Sequence, residues 1–232
     1  MAMLGRVLSL ISLILCLLLS GSSFKDVYAQ ASTPTPPSLP PPPQERPQGR
    51  WMTTYTTADG LAENRVQALW GDGTGRVWAG TYGGGVSVWD GATWTTYTMV
   101  DGLGDNDVLS LWGDGRGRVW AGTSRGVSVW GGETWTTYIT ADGLGLDDVL
   151  SLWGNGAGQV WAGTYNGGVS VWDGATWTAY TEADGLGDND VRALWGDGAG
   201  QVWAGTDGGG VSVWDGAMWT TYTTADGLGD ND

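Results

Sequence analysis

An all-β fold, a β-propeller of four-stranded antiparallel blades, is what this sequence predicts, on two observations. The chain copies itself at intervals of 43, 41, 42 and 42 residues, read from Trp51 through Trp94, Trp135 and Trp177 to Trp219. Each copy holds four short runs rich in Val, Trp, Thr and Tyr, parted by Gly- and Asp-rich turns; four strands in about 42 residues is the period of a propeller blade.

From the N-terminus, residues 1–31 divide like a secretory signal: Arg6, an apolar run at 7–19, then the small-residue site Ala29, Gln30, Ala31. That run, wound as a helix, reaches only about 20 Å, short of a bilayer core, so cleavage after Ala31 is expected, with an uncleaved anchor as the alternative. Cys16 follows Leu13, Ile14 and Leu15, where a lipid-attachment box wants a small residue. All 8 prolines fall within residues 32–50, a polyproline II linker that holds the folded part away from a membrane or wall.

The propeller array then occupies residues 51–232, with four complete blades near 66–98, 108–139, 149–181 and 191–223 and partial repeats at both ends. In the first blade the strands are VQALW (66–70), RVWAGT (76–81), GVSVW (85–89) and TWTTYT (93–98). Turn chemistry lies between them: GDGTG, YGGG and DGA. Strand parity places Val66, Ala68 and Trp70 on one face and Leu69 on the other, so both faces are apolar, as a blade sandwiched between neighbours requires. The tryptophans, among them Trp70, Trp78 and Trp89, are read as core between blades and not as a sugar platform. Residues 51–56 supply a further outer strand, giving five outer strands to four inner sets. That count fits an incomplete ring, part of a longer propeller, better than a closed four-blade ring, and an open array with Trp-rich faces should associate.

Composition closes most catalytic routes. There is no His, the one Cys is Cys16 and the only lysine is Lys25, which removes His-based triads, His-ligated zinc and, once the signal is cleaved, thiol and Schiff-base chemistry. A net charge of −15 disfavours nucleic acid and anionic membranes, and no membrane insertion beyond the signal segment is expected. The glycines of GDGTG do not make a phosphate loop, because a strand follows where a helix N-terminus is needed.

The unit made of DGL, an acidic tract, V..LW, DG.G.VW.GT, GGVSVWDG and W..YT resembles the two-component regulator propeller repeat of bacterial extracytoplasmic sensor domains, over residues 51–232. The DGL step recurs at Asp59, Asp101, Asp142, Asp184 and Asp226. The stretch from Asp72 to Trp78 is also similar to the Asp-box hairpin of sialidase-like propellers, with one residue more between Asp and Gly and no leading Ser. The resemblance implies a propeller that binds a ligand outside the cell and passes a signal to a linked or separate kinase or other output domain.

Two sets of residues are candidates for function. Asp101, Asp105 and Asp107, with Asp184, Asp188 and Asp190, are hard oxygen ligands at short spacing such as Ca²⁺ takes, but the EF-hand spacing is missing and solvated turns explain them better. No other cofactor is expected. Propeller topology sets the acidic loops beside the turns between second and third strands. There Tyr82, Ser124, Arg125, Tyr165, Asn166 and Asp207 break the repeat. The expectation is a non-enzymatic binding or sensor module outside the cytoplasm, secreted, periplasmic or anchored, with these residues meeting a small-molecule, glycan or protein ligand. A calcium-stabilised adhesion repeat is the alternative, and a glycoside hydrolase or lyase on the same fold ranks below both, because near-identical loops single out no acid of raised pKa.

Overall fold

The structure, a computed structural model, describes residues 53–232. The signal, the linker and Trp51 lie outside the described residues. Within them the chain forms sixteen strands in four antiparallel sheets, each in simple meander order. Blade 1 comprises β1 (Val66–Gly71), β2 (Val77–Thr81), β3 (Gly85–Trp89) and β4 (Trp94–Tyr97). Blade 2 runs from β5 (Val108–Gly113) through β6 (Val119–Thr123) and β7 (Gly126–Trp130) to β8 (Trp135–Tyr138). Blade 3 has β9 (Val149–Gly154), β10 (Val160–Thr164), β11 (Val169–Trp172) and β12 (Trp177–Tyr180), and blade 4 has β13 (Val191–Gly196), β14 (Val202–Thr206), β15 (Val211–Trp214) and β16 (Trp219–Tyr222).

The strands end where the turn chemistry demands. Between β1 and β2, Asp72 Oδ1 accepts from the backbone N–H of Thr74 at 2.8 Å and of Arg76 at 3.3 Å, and from the Thr74 hydroxyl at 2.7 Å. The Thr74 hydroxyl, ahead of these backbone donors, holds the Asp72 carboxyl below the ordinary range. Each of the three links between blades is a 3-10 turn, at Met99–Asp101, Thr140–Asp142 and Glu182–Asp184, and the same turn precedes blade 1 at Thr57–Asp59 and follows blade 4 at Thr224–Asp226. The aspartate of each DGL step closes that turn: Asp101 Oδ2 accepts from the Thr98 N–H at 2.8 Å and hydroxyl at 3.1 Å.

Three apolar clusters form the core, one at each junction of adjacent blades. At the first, Trp78 of blade 1 meets Trp130 and Trp135 of blade 2 at 6.5 and 6.4 Å between ring centroids, and Tyr97 stacks on Trp130 at 4.7 Å. Glycine makes this approach close. A Cβ at Gly80 would lie 2.6 Å from Val108 Cγ1, and one at Gly113 would collide with the Trp70 ring. The same valine-to-glycine and tryptophan-to-glycine contacts recur with Val149 on Gly122, Val191 on Gly163, Trp112 on Gly154 and Trp153 on Gly196.

Two expectations are corrected. Every inner strand carries a β-bulge at its second residue, Gln67 in β1, where the register steps from Val66 opposite Thr81 to Ala68 opposite Gly80. The extra residue inverts the parity. Val108 and Leu111 in blade 2 accordingly face the preceding blade while Trp112 faces the next, so Val66 belongs with Leu69 and not with Ala68 and Trp70. The predicted strand at 51–56 is the second correction, because residues 53–56 pair with no strand. Tyr55 nevertheless stacks on Trp89 at 4.9 Å, the seat that Tyr97 takes on Trp130. Aligning Tyr55 with Tyr97 makes Met52, one place after Trp51, the counterpart of Trp94, which explains the 43-residue first interval.

The array is open among the described residues. Leu69 on blade 1 is 67% exposed and Trp195 on blade 4 is 58% exposed, whereas their counterparts inside the array, such as Leu111 and Trp153, pack into the junction clusters.

Candidate functional site

The bulged starts of the inner strands and the turns between second and third strands meet on one face. Main-chain bonds fix the register: the N–H groups of Tyr82, Ser124, Tyr165 and Asp207 donate to the carbonyls of Arg65, Asp107, Asp148 and Asp190 at 2.9–3.2 Å. A second row runs from Gly85, Gly126 and Gly168 to Asn106, Asp147 and Asn189. The acidic loops thus lie against the turns that break the repeat.

The six candidate side chains fall into separate groups. Tyr82 lies under the Arg65 guanidinium, 4.3 Å from ring centroid to Cζ. Arg125 reaches Asp105 at 3.2 Å and remains largely exposed. Tyr165 and Asp207 are linked through Arg192, whose guanidinium is 5.7 Å from the Tyr165 ring and pairs with Asp207 and, at 2.7 Å, with Asp190. The hydrogen bond that Arg192 donates to Asp207 is the main reason the Arg192 pKa rises, while burial pushes the Asp190 carboxyl up against the opposing pull of Arg192. Asn166 shapes the backbone, since at φ 60° it is the one non-glycine residue with positive φ among those described, in the place of Gly83 and Gly208. Ser124 contributes its main-chain N–H to Asp107.

Two residues of this face escaped the sequence reading, Arg65 and Arg192. Both break the repeat: Arg65 stands where other copies have Asp107, Asp148 and Asp190, and Arg192 where they have Gln67, Leu109 and Leu150. Arg192 occupies the bulge, which aims its side chain toward the turns. Side-chain variation also marks the opposite end of the strands, where blades 1 and 2 carry Arg76 and Arg118 at the place that Gln159 and Gln201 take in blades 3 and 4, and Arg118 pairs with Asp114 at 2.6 Å.

The acidic tracts do not act as units. Asp101 and Asp184 turn back to close their 3-10 turns, Asp105 Oδ1 and Asp188 Oδ1 accept from the N–H groups of Asp107 and Asp190, and Asp190 engages Arg192. Among the described residues no three carboxylates converge on a point.

No family model and no curated protein matches the chain. Solved structures do. The extracellular domain assigned to the hybrid two-component system BT3049 of B. thetaiotaomicron is 25% identical, with a TM-score of 0.63 over 73% of this chain and 24% of that one. The extracellular domain of BT4673 from the same organism gives 18% identity and a TM-score of 0.61 over 72% of this chain and 26% of that one. This chain shares the fold of those extracellular domains. That bears out the resemblance drawn from the repeat, and the chain spans about a quarter of their length. Virginiamycin B lyase from Staphylococcus aureus, 14% identical with a TM-score of 0.56 over 68% of this chain and 55% of that one, shares the fold alone. No helix among the described residues is long and apolar enough to cross a membrane.

Proposed function

We propose that this chain is a non-catalytic, extracytoplasmic sensor propeller that binds a polar ligand on the face built from the acidic loops and the second-to-third-strand turns. One observation carries the reading: two half-exposed tyrosines, Tyr82 and Tyr165, each lie beside a guanidinium on that face. Exposed aromatic rings flanked by cations suit a glycan or peptide bearing carboxylate groups, with the ring giving contact area and the guanidinium giving a forked hydrogen-bond partner. The likeness to extracellular domains of two-component systems supports the placement outside the cytoplasm and the sensing role. The absence of histidine from the sequence supports binding over hydrolysis.

The test is retention on an array of neutral and acidic oligosaccharides and peptides, for the parent and for Arg65→Ala, Arg125→Ala and Tyr165→Ala. Selective retention of acidic probes, weakened by these substitutions with little change in melting temperature, is expected. Retention unaffected by all three would move the site off this face.

A further inference from the structure

Among the described residues the two ends of the array are bare and are the two halves of the junction that the chain builds three times internally, and we propose that copies of this chain dock head to tail through them. At each internal junction a valine from the following blade fills a glycine notch: Val108, Val149 and Val191 are all 0% exposed against Gly80, Gly122 and Gly163. Blade 1 presents the same valine without its notch, Val66 at 37% exposure. Blade 4 presents the same notch without its valine, since a Cβ at Gly205 would touch only Ala193 of its own blade. The second contact repeats the pattern. Trp195 has no glycine to cover, and a Cβ at Gly71 would meet no tryptophan.

The occupant is therefore specified by chemistry already in the molecule: the Trp195 and Gly205 face of one copy fits the Gly71 and Val66 face of another. A heterologous contact of this kind closes into a ring or continues as a filament. Two copies joined at both ends bring together eight blades, within the range of closed propellers.

One seat on the incoming face is already taken. Tyr55 lies on Trp89 and Trp94, where docking would place Tyr222, by analogy with Tyr97 on Trp130 and Trp135. The rival segments are alike: TTYTTADGL occurs at 53–61 and again at 220–228, and the three internal copies of this stretch all differ from it. Tyr222 belongs to β16 and is paired with Val211, while residues 53–56 have no ladder. Docking thus exchanges the unpaired N-terminal tyrosine for the strand-borne one.

Sedimentation of the full-length chain at micromolar concentration tests this, with Val66→Arg to spoil the incoming face and Gly205→Leu to fill the outgoing notch. Both positions lie at bare ends, so the blades should keep their tryptophan fluorescence. The parent should sediment as a dimer and each variant alone as a monomer. An equimolar mixture should regain association, because each variant keeps the face the other lacks. Tyr222→Ala should weaken the dimer and Tyr55→Ala should not. A monomeric parent overturns the proposal, whether its ends stay bare or another segment covers them, and so does association that survives both substitutions or fails to return on mixing.

Discussion

Trp120 and Trp203 occupy the same place in the same pentapeptide, VWAGT, yet truncating them should cost different amounts. Trp120 is 1% exposed and lies 6.4 and 6.2 Å from the rings of Trp172 and Trp177, whereas Trp203 is 37% exposed, with no blade packed on it among the described residues. A tryptophan side chain of about 200 Å² at about 25 cal/mol per Å² contributes about 5 kcal/mol when fully buried and about 3 kcal/mol at the exposure of Trp203. The two ring pairs add about 1–3 kcal/mol for Trp120. Compaction of the unfolded chain scales both figures down alike. Trp120→Ala should therefore exceed Trp203→Ala by at least about 2 kcal/mol. Urea unfolding in a Val66→Arg background, where docking cannot cover Trp203, measures it. With a slope of about 2 kcal/mol per molar urea, the midpoints should differ by about 1 M or more. Equal midpoints would refute the view that junctions between blades, and not strand propensity, hold the array together.

Two further outcomes follow from the same contacts. Gly122→Ala should destabilise by about 1–3 kcal/mol, because its Cβ would meet Val149 Cγ1 at 2.7 Å and Val149 O at 2.8 Å; Gly205→Ala in the undocked Val66→Arg background, where its Cβ would meet only Ala193, should be neutral or stabilising by up to about 1 kcal/mol, both read from thermal melts. The carboxyls of Asp90, Asp173 and Asp215 sit below their ordinary value of 3.8, chiefly through the N–H groups of Thr93, Thr176 and Met218, so the stability they lend is present above that value and lost as pH falls beneath it. Changing all three to Asn keeps an acceptor without a charge and should flatten the acid limb of the unfolding midpoint against pH; parallel limbs would show that these turns do not set it.

Strands and turns were legible because runs of Val and Trp between GDGTG, YGGG and DGA leave little choice of structure. The bulge was not, since Gln67, Leu109, Leu150 and Arg192 share no residue type that marks it, and one added residue is enough to reverse Val66. The 3-10 turns could have been found from Thr and Asp three apart at Thr56, Thr98, Thr181 and Thr223, the capping signature that the acidic character of those loops obscured. On the candidate face, comparison of copies located Tyr82, Arg125, Tyr165 and Asp207. It passed over Arg65 and Arg192 because they precede the turn in sequence and reach it only through the fold.

The valine-in-glycine junction also bears on how such a chain changes over generations. Because every joint uses the same pair of surfaces, unequal recombination between gene segments can insert or remove a whole unit of about 42 residues and leave each remaining joint chemically unaltered. A shift of register within the strands would set Val108 or its counterparts against a side chain in place of Gly80. Selection on this one contact is enough to hold the repeat length in step, and it leaves the turn at Ser124 and Arg125, one residue shorter than its neighbours, free to vary.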